Sequence, residues 1–286
     1  MIDVKDLWWR VRLRMMPQCG ITASWKNYKF ILFLEDRSHC FGLWASEFRP
    51  LMEFDTLARA VVREGDCVID VGANYGYTST IFARACGSTG KVISIEAAPH
   101  TAKNLRRQIA AAGFGERVLI VNRAVGDREG LARMRASFMA RQDCQYVISE
   151  GESIKDEREY LSEEIVVPID TLDRIVESSG VKAPVLMKID VEGFESSVLK
   201  GAKNILDARS PPWLLVEVLS PEKEMTSGGS SQILNQLVSY SGEYYIYEQG
   251  RFARPEREEL ILLSQKLPYF NLLVKPPRGE FRERWT

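Results

Sequence analysis

Residues 66–76 read DCVIDVGANYG, and the order of residue types in this stretch decides how the rest of the chain is read. The apolar run at 67–71 has the length of a buried strand, Gly72 and Gly76 punctuate a tight turn, and a helix follows over 77–85. Strand, glycine turn and helix in that order build a pocket for an anion or a nucleotide. Glycines let the backbone approach the ligand, and the first helical N–H groups point outward.

Downstream the alternation continues. KVISIE at 91–96 is a second strand, 101–112 is a helix with Leu105 and Ile109 on one face and a stop at Gly113, and 118–125 is a third strand. Strands and helices alternating at this pitch predict an α/β fold: a doubly wound, mostly parallel sheet with right-handed crossovers. After a turn at 126–130, residues 131–162 are polar and weakly periodic and read as an insertion over the carboxyl edge of the sheet. Order returns as a strand at 165–169, a helix at 171–177, a strand at 185–189 and one helical stripe from Phe194 to Leu206, closed by Pro211 and Pro212. A strand at 213–218, a mobile Ser/Gly-rich loop at 221–231 and a helix at 232–239 follow. Runs at 244–247 and 272–274 then form an antiparallel edge pair.

Upstream, Phe54, Leu57, Ala58, Val61 and Val62 recur at helical spacing over 52–62. Tyr28, Phe30, Leu32 and Leu34 alternate before a turn at 36–38 and a run at 40–44, which predicts a β-hairpin. Residues 1–16 carry Trp8 and Trp9 beside Arg10, Arg12 and Arg14. They predict a cap helix that docks its tryptophans on the domain, with contact to a membrane surface as the alternative. The expected organisation is an N-terminal extension at 1–50 and a core domain at 51–286.

The chain has 286 residues, 45% hydrophobic and 27% charged, which are ordinary globular values. A net charge of −1 gives no general attraction to nucleic acid, and no apolar run approaches a membrane span. Cys19, Cys40, Cys67, Cys86 and Cys144 are scattered, with no CxxC pair, which fits a reducing cytoplasm.

The glycine turn also selects among nucleotides. Asn74 stands where a G-x-G-x-x-G dinucleotide fingerprint has its middle glycine, and no Lys followed by Ser or Thr completes a P-loop. The remaining layout suits S-adenosyl-L-methionine. Asp70 at the first strand tip is placed to meet the ligand's ammonium group, and Glu96 at the second, twenty residues after Gly76, to accept from both ribose hydroxyls. The structural alternatives are a helix N-cap for Asp70 and a solvated strand-end charge for Glu96.

VIDVGANYGYTS, VISIEAAP, VNRAVGDREG, IDTLD, LMKIDVEGFESSVLKGA and LLVEV stand in an order and spacing that resembles the FkbM-type S-adenosyl-L-methionine-dependent methyltransferases, over residues 68–218. The resemblance implies a class I methyltransferase fold, Rossmann-like, with a seven-stranded sheet whose last strand is antiparallel, and O-methylation of hydroxyls on sugars, glycans or small secondary metabolites. It implies cofactor contacts at Asp70, Gly72, Ala73, Asn74, Gly76 and Glu96 and matches Asp190 and Glu192 to the DVEG signature, and Tyr77, Thr78, Ala97, Ala124 and Asp190 complete the expected cofactor site. One departure is IEAAP, where the family has an EP pair, so Pro99 falls two residues late.

Methyl transfer from a sulfonium needs chiefly alignment and exclusion of water; a group that takes the hydroxyl proton adds roughly 10²- to 10⁴-fold. Asp190 at the fourth strand tip is the first candidate, followed by Glu217 near the fifth and His100 just past Glu96. His100 otherwise caps the helix near Thr101, and Glu192 and Glu195 read as helix N-terminal charges. Acidic groups at these tips could share a divalent cation, a reading disfavoured for want of a third oxygen ligand. A small-molecule or glycan acceptor is expected, with no nucleic acid and with homo-oligomerisation open. N- or RNA methylation, or cofactor binding without catalysis, are the alternatives.

Overall fold

The computed structural model describes residues 21–32, 48–137, 146–148, 162–220, 229–241 and 243–277. The cap helix expected at 1–16, the run at 40–44 and most of the loop at 221–231 lie outside them. The chain enters as a hairpin of β1 (Ile21–Trp25) and β2 (Tyr28–Leu32), turned at Lys26, whose φ is 51°. The expected turn at 36–38 and its run at 40–44 lie outside the described residues, and the hairpin that is described is a separate pairing. Tyr28–Leu32 is its second strand, and its partner lies upstream, where ITASW alternates too weakly to announce a strand.

Helix α1 (Met52–Val61) leads into β3 (Cys67–Val71), α2 (Tyr77–Ala85), β4 (Lys91–Ile95), α3 (Pro99–Ala111) and β5 (Val118–Val121), close to the expected boundaries. The strand expected at 118–125 divides, because Asn122 and Arg123 carry the chain out of the main sheet into β6 (Ala124–Gly126). Next come β7 (Gly130–Ser137), β8 (Tyr146–Ile148) and β9 (Ser162–Thr171). These form a separate sheet in the order β6-β9-β7-β8, with β7 antiparallel to β9 over its whole length, so the insertion at 131–162 is in part a β-layer. Among the described residues one face is buried, where Ala132 and Met134 meet Val167 and Ile169, and interleaved Arg133 and Arg135 mask the alternation.

The rest of the chain runs α4 (Leu172–Ser179), β10 (Leu186–Ile189), α5 (Glu195–Lys200), α6 (Lys203–Leu206), β11 (Trp213–Leu219), α7 (Gly229–Tyr240), β12 (Tyr244–Glu248), β13 (Arg251–Ala253), α8 (Arg257–Lys266) and β14 (Tyr269–Val274). The single stripe expected over 194–206 is two short helices, broken at Gly201 and Ala202. Helix α8 was not expected, since Leu260 is buried while Ile261 and Leu262 face solvent, which blurs its periodicity.

The main sheet has the order β13-β12-β14-β11-β10-β3-β4-β5. Strands β11, β10, β3, β4 and β5 are parallel neighbours, and β14 runs antiparallel to both β11 and β12. The expected antiparallel pair is therefore present, but β14 is interior and β13 forms the edge. The result is the α/β arrangement expected of class I methyltransferases, with one additional edge strand. One face of the sheet is covered by α1, α2, α3 and the hairpin, the other by α4 to α8.

The hairpin is fastened to the helices it covers. Buried Gln108 of α3 accepts from Ile31 N (2.6 Å) and donates to Lys29 O (2.9 Å), Tyr77 Oη donates to Ile31 O (2.7 Å), and Tyr28 Oη donates to buried Asp55 (2.6 Å), which also pairs with Lys26.

Candidate functional site

The glycine turn folds back onto β4. Gly72 N and Ala73 N donate to Ile95 O (3.0 and 2.9 Å), and Asn74, in the left-handed region at φ 50°, donates its N–H to Glu96 Oε2 (2.9 Å). Glu96 Oε1 accepts from Ala98 N (2.9 Å), so one buried carboxylate ties the turn to the loop after β4 while each oxygen keeps a lone pair for a ligand. Burial raises the Glu96 pKa to about 7 against the pull of those two backbone donors. Asn122 holds the same loop by donating to the carbonyls of Glu96 and Ala97 (2.8 and 2.9 Å).

Gly72 is required where it stands. Its φ is 74°, and a Cβ there would lie 1.8 Å from the carbonyl oxygen of Asp190. The turn after β3 and the turn after β10 are thus in backbone contact.

Parallel register sets Asp70, Ser94 and Lys188 side by side on β3, β4 and β10. Asp70 is fully buried, and its Oδ2 accepts from Thr78 Oγ1 (2.7 Å) and Ser79 Oγ (2.6 Å) of α2. Lys188 Nζ lies 3.4 Å from Asp70 Oδ1 and 3.0 Å from Asp190 Oδ2, and donates to Gly72 O (3.1 Å). Burial alone would depress the Lys188 pKa, but the charges of Asp190 and Asp70 outweigh it and hold the ammonium above the ordinary lysine range. One cation therefore joins the foundation of the glycine turn to Asp190.

Beyond Asp190 the edge of the sheet becomes acidic. One carboxylate oxygen each from Asp190, Glu192 and Glu217 lies within 4.8 Å of the others. Unscreened by a counter-ion, like charges at that spacing repel by roughly 3–4 kcal/mol per pair at an effective dielectric constant near 20. Burial, then the charges of Asp190, Glu192 and Glu195, push the Glu217 pKa well above the usual carboxylate range, and its Oε2 is buried without a hydrogen-bond partner. Glu195 closes the DVEG turn by accepting from Val191 N (2.9 Å) and Gly193 N (3.2 Å), whereas Glu192 at φ 55° faces Asp190 and Glu217.

Glu53 of α1 approaches from the other side. Its Oε2 accepts from Asn271 Nδ2 (3.0 Å), and Asn271 pairs in register with Glu217. Its Oε1 is buried and unpartnered, and burial raises its pKa to about 7 despite the Asn271 hydrogen bond. A carboxyl group whose folded pKa exceeds its unfolded value stabilises the fold only while protonated, so this contribution is lost as pH rises from about 4.5 to about 7. Glu53→Gln is therefore expected to be close to neutral at pH 5 and to stabilise by up to about 3 kcal/mol at pH 8. Chemical denaturation at both pH values measures the difference, and equal effects at the two would refute it.

The structure brings Asp70, Gly72, Ala73, Asn74, Gly76, Thr78, Glu96, Ala97 and Asp190 to neighbouring turns on one edge of the sheet. Tyr77 turns away to the hairpin, and Ala124 is buried on β6 beside Ile169. His100 is exposed in the first turn of α3, and the N-cap is Ala98, so His100 does not cap that helix. It follows β4 whereas Asp190 follows β10, with β3 between them, a separation of roughly 10 Å at the strands. Sequence reasoning missed Lys188, Asn122 and Glu53. A lone lysine inside the apolar run VLMKI, directly before an aspartate, was the signal available for the first.

The family model described as the methyltransferase FkbM domain matches residues 70–244, more than half of the chain. Protein-L-isoaspartate O-methyltransferase 2 of Archaeoglobus fulgidus is 42% identical over 60 residues, 21% of this chain and 27% of that protein. A tRNA adenine-N1-methyltransferase of Methanocaldococcus jannaschii is 30% identical over 76 residues, 26% of this chain and 27% of that protein. These alignments span about a quarter of the length of either relative. The crystal structure of methyltransferase FkbM from Methylobacillus flagellatus is similar with a TM-score of 0.43 at 16% identity, covering 82% of this chain and 53% of that one. On the extent of the family match, the chain belongs to the methyltransferase FkbM domain family, a family of S-adenosyl-L-methionine-dependent methyltransferases.

Proposed function

We propose that the chain transfers the methyl group of S-adenosyl-L-methionine to a hydroxyl of a sugar, glycan or small secondary metabolite. The observation that carries this reading is the single ammonium of Lys188 shared between Gly72 O and Asp190 Oδ2, which registers the turn that would hold the methyl donor against the carboxylates that would meet the acceptor. Glu96 receives the ribose hydroxyls on its free lone pairs. The acceptor oxygen attacks the methyl carbon in line with the C–S bond, whose electron pair stays on sulfur to give the neutral thioether, and the hydroxyl proton passes to Asp190. Holding oxygen and methyl carbon together in this geometry is the largest part of the acceleration. A net charge of −1 weighs against a polyanionic RNA acceptor.

Calorimetric titration with S-adenosyl-L-methionine and its demethylated product, followed by a panel of hydroxylated acceptors read by release of that product, tests the proposal. Wild-type protein is expected to bind both compounds. Glu96→Gln is expected to bind about 10- to 100-fold more weakly, the effect of weakening charge-assisted hydrogen bonds to the ribose. Asp190→Asn is expected to lower turnover by about 10²-fold or more. Absence of cofactor binding overturns the reading, and tight binding with no turnover on any acceptor favours a non-catalytic module.

A further inference from the structure

We infer that Asp190, Glu192 and Glu217 form a binding site for one hard divalent cation of the magnesium or manganese class. The inference rests on the proposed transfer reading and deepens it, because it adds an electrophile at the acceptor end of the cleft. Each residue offers one carboxylate oxygen, and the three lie within 4.8 Å of one another, a spread that modest side-chain movement contracts to the coordination sphere of a six-coordinate ion. Three carboxylate oxygens, with no histidine or cysteine in the group among the described residues, select hard cations over zinc or copper.

A gathering of acids alone carries little weight, since acidic groups collect at many strand tips. A second observation points to a ligand: Glu217 Oε2 is sealed from solvent and accepts no hydrogen bond. Glu53 Oε1, on the adjoining side beyond Asn271, is sealed and unpartnered as well. Carboxylate oxygens only accept, so a place where buried acceptors outnumber donors is matched by a cation. Lys188 does not meet that need, because its ammonium is engaged by Asp190 Oδ2, Gly72 O and Asp70 Oδ1. It leaves Asp190 a second oxygen to offer.

The local backbone is consistent with this division of labour. In the DVEG turn the cap is Glu195, which satisfies Val191 N and Gly193 N. Glu192 is thereby relieved of that duty, and its left-handed conformation carries its carboxylate toward Asp190 and Glu217. Three protein oxygens leave the remaining positions of an octahedral ion to water, and an acceptor hydroxyl can replace one of those waters. The hydroxyl is then held and polarised at the place where Asp190 otherwise meets it alone.

The test is titration of chelator-treated full-length protein with Mn²⁺, following loss of the free-ion electron paramagnetic resonance signal, with Mg²⁺ as competitor. Saturable binding of one equivalent is expected, with Kd on the order of 10⁻⁵ to 10⁻³ M. Glu192→Gln and Glu217→Gln are each expected to weaken binding at least tenfold, while circular dichroism and the unfolding midpoint report that the variants are folded. Absence of saturable binding to wild-type protein at millimolar Mn²⁺ overturns the inference, as does equal binding by both folded variants. Cofactor titration of the same samples separates the two readings. Protein that binds S-adenosyl-L-methionine but no Mn²⁺ fails only the cation site, and protein that does not bind the cofactor fails the proposed function.

Discussion

Lys188→Met is expected to lower the stability of the fold by about 3–5 kcal/mol, the usual consequence of removing one member of a buried ionic group while the others remain. Asp70 is wholly buried, and with the ammonium gone it keeps only the hydroxyls of Thr78 and Ser79. For a chain of this size the loss corresponds to a fall of roughly 10 °C in the unfolding midpoint. The effect differs from that of a core cavity, because methionine fills nearly the same volume. Lys188→Arg, which keeps the charge but crowds the site, is expected to lose less. Thermal unfolding of the two variants side by side decides the matter. If methionine is tolerated as well as arginine, the ammonium is not what holds the two turns together.

Gly72→Ala is expected to cost at least about 3 kcal/mol and to abolish measurable cofactor binding. The added methyl would meet the Asp190 carbonyl oxygen at 1.8 Å, and neither partner is a side chain that can swing aside. The turn after β3 must then separate from the turn after β10, which breaks the Lys188 hydrogen bond to Gly72 O and strains those of Gly72 N and Ala73 N to Ile95 O that shape the turn. Gly113 supplies the control. It has a similar φ of 78° but no atom within 4 Å of an added Cβ, so Gly113→Ala carries only the backbone strain, about 1 kcal/mol. Calorimetry with S-adenosyl-L-methionine and denaturant titration measure both variants. Similar losses in the two would show that conformation rather than contact sets the penalty.

The parallel core was legible because strands buried on both faces leave a plain trace. CVIDV, KVISI and LMKI are short apolar runs bounded by turn residues, and the helices between them carry one-sided apolar periodicity. The second sheet was not legible, since β7 buries only alternate residues and sets arginines between them. The place of β14 between β11 and β12 was hidden for a different reason: strand order is decided by pairing across the sheet, which no local pattern records. At the site, Asp70, Glu96 and Asp190 stood out as acids closing apolar strands. The partners that give them their geometry did not, because Lys188, Asn122 and Asn271 act across strands and reach their targets only after the sheet has assembled.

The family model ends at residue 244, yet β14, at Tyr269–Val274, lies between two strands of the main sheet, and the hairpin upstream of residue 70 holds Gln108 Oε1 and the Tyr77 hydroxyl through Ile31. The segment by which such chains are recognised as kin and the segment able to fold are therefore different lengths. A fragment trimmed to the recognised boundaries would expose the flank of β11 and strip α1 and the hairpin from the helices they cover, so biochemical work on this chain calls for all 286 residues.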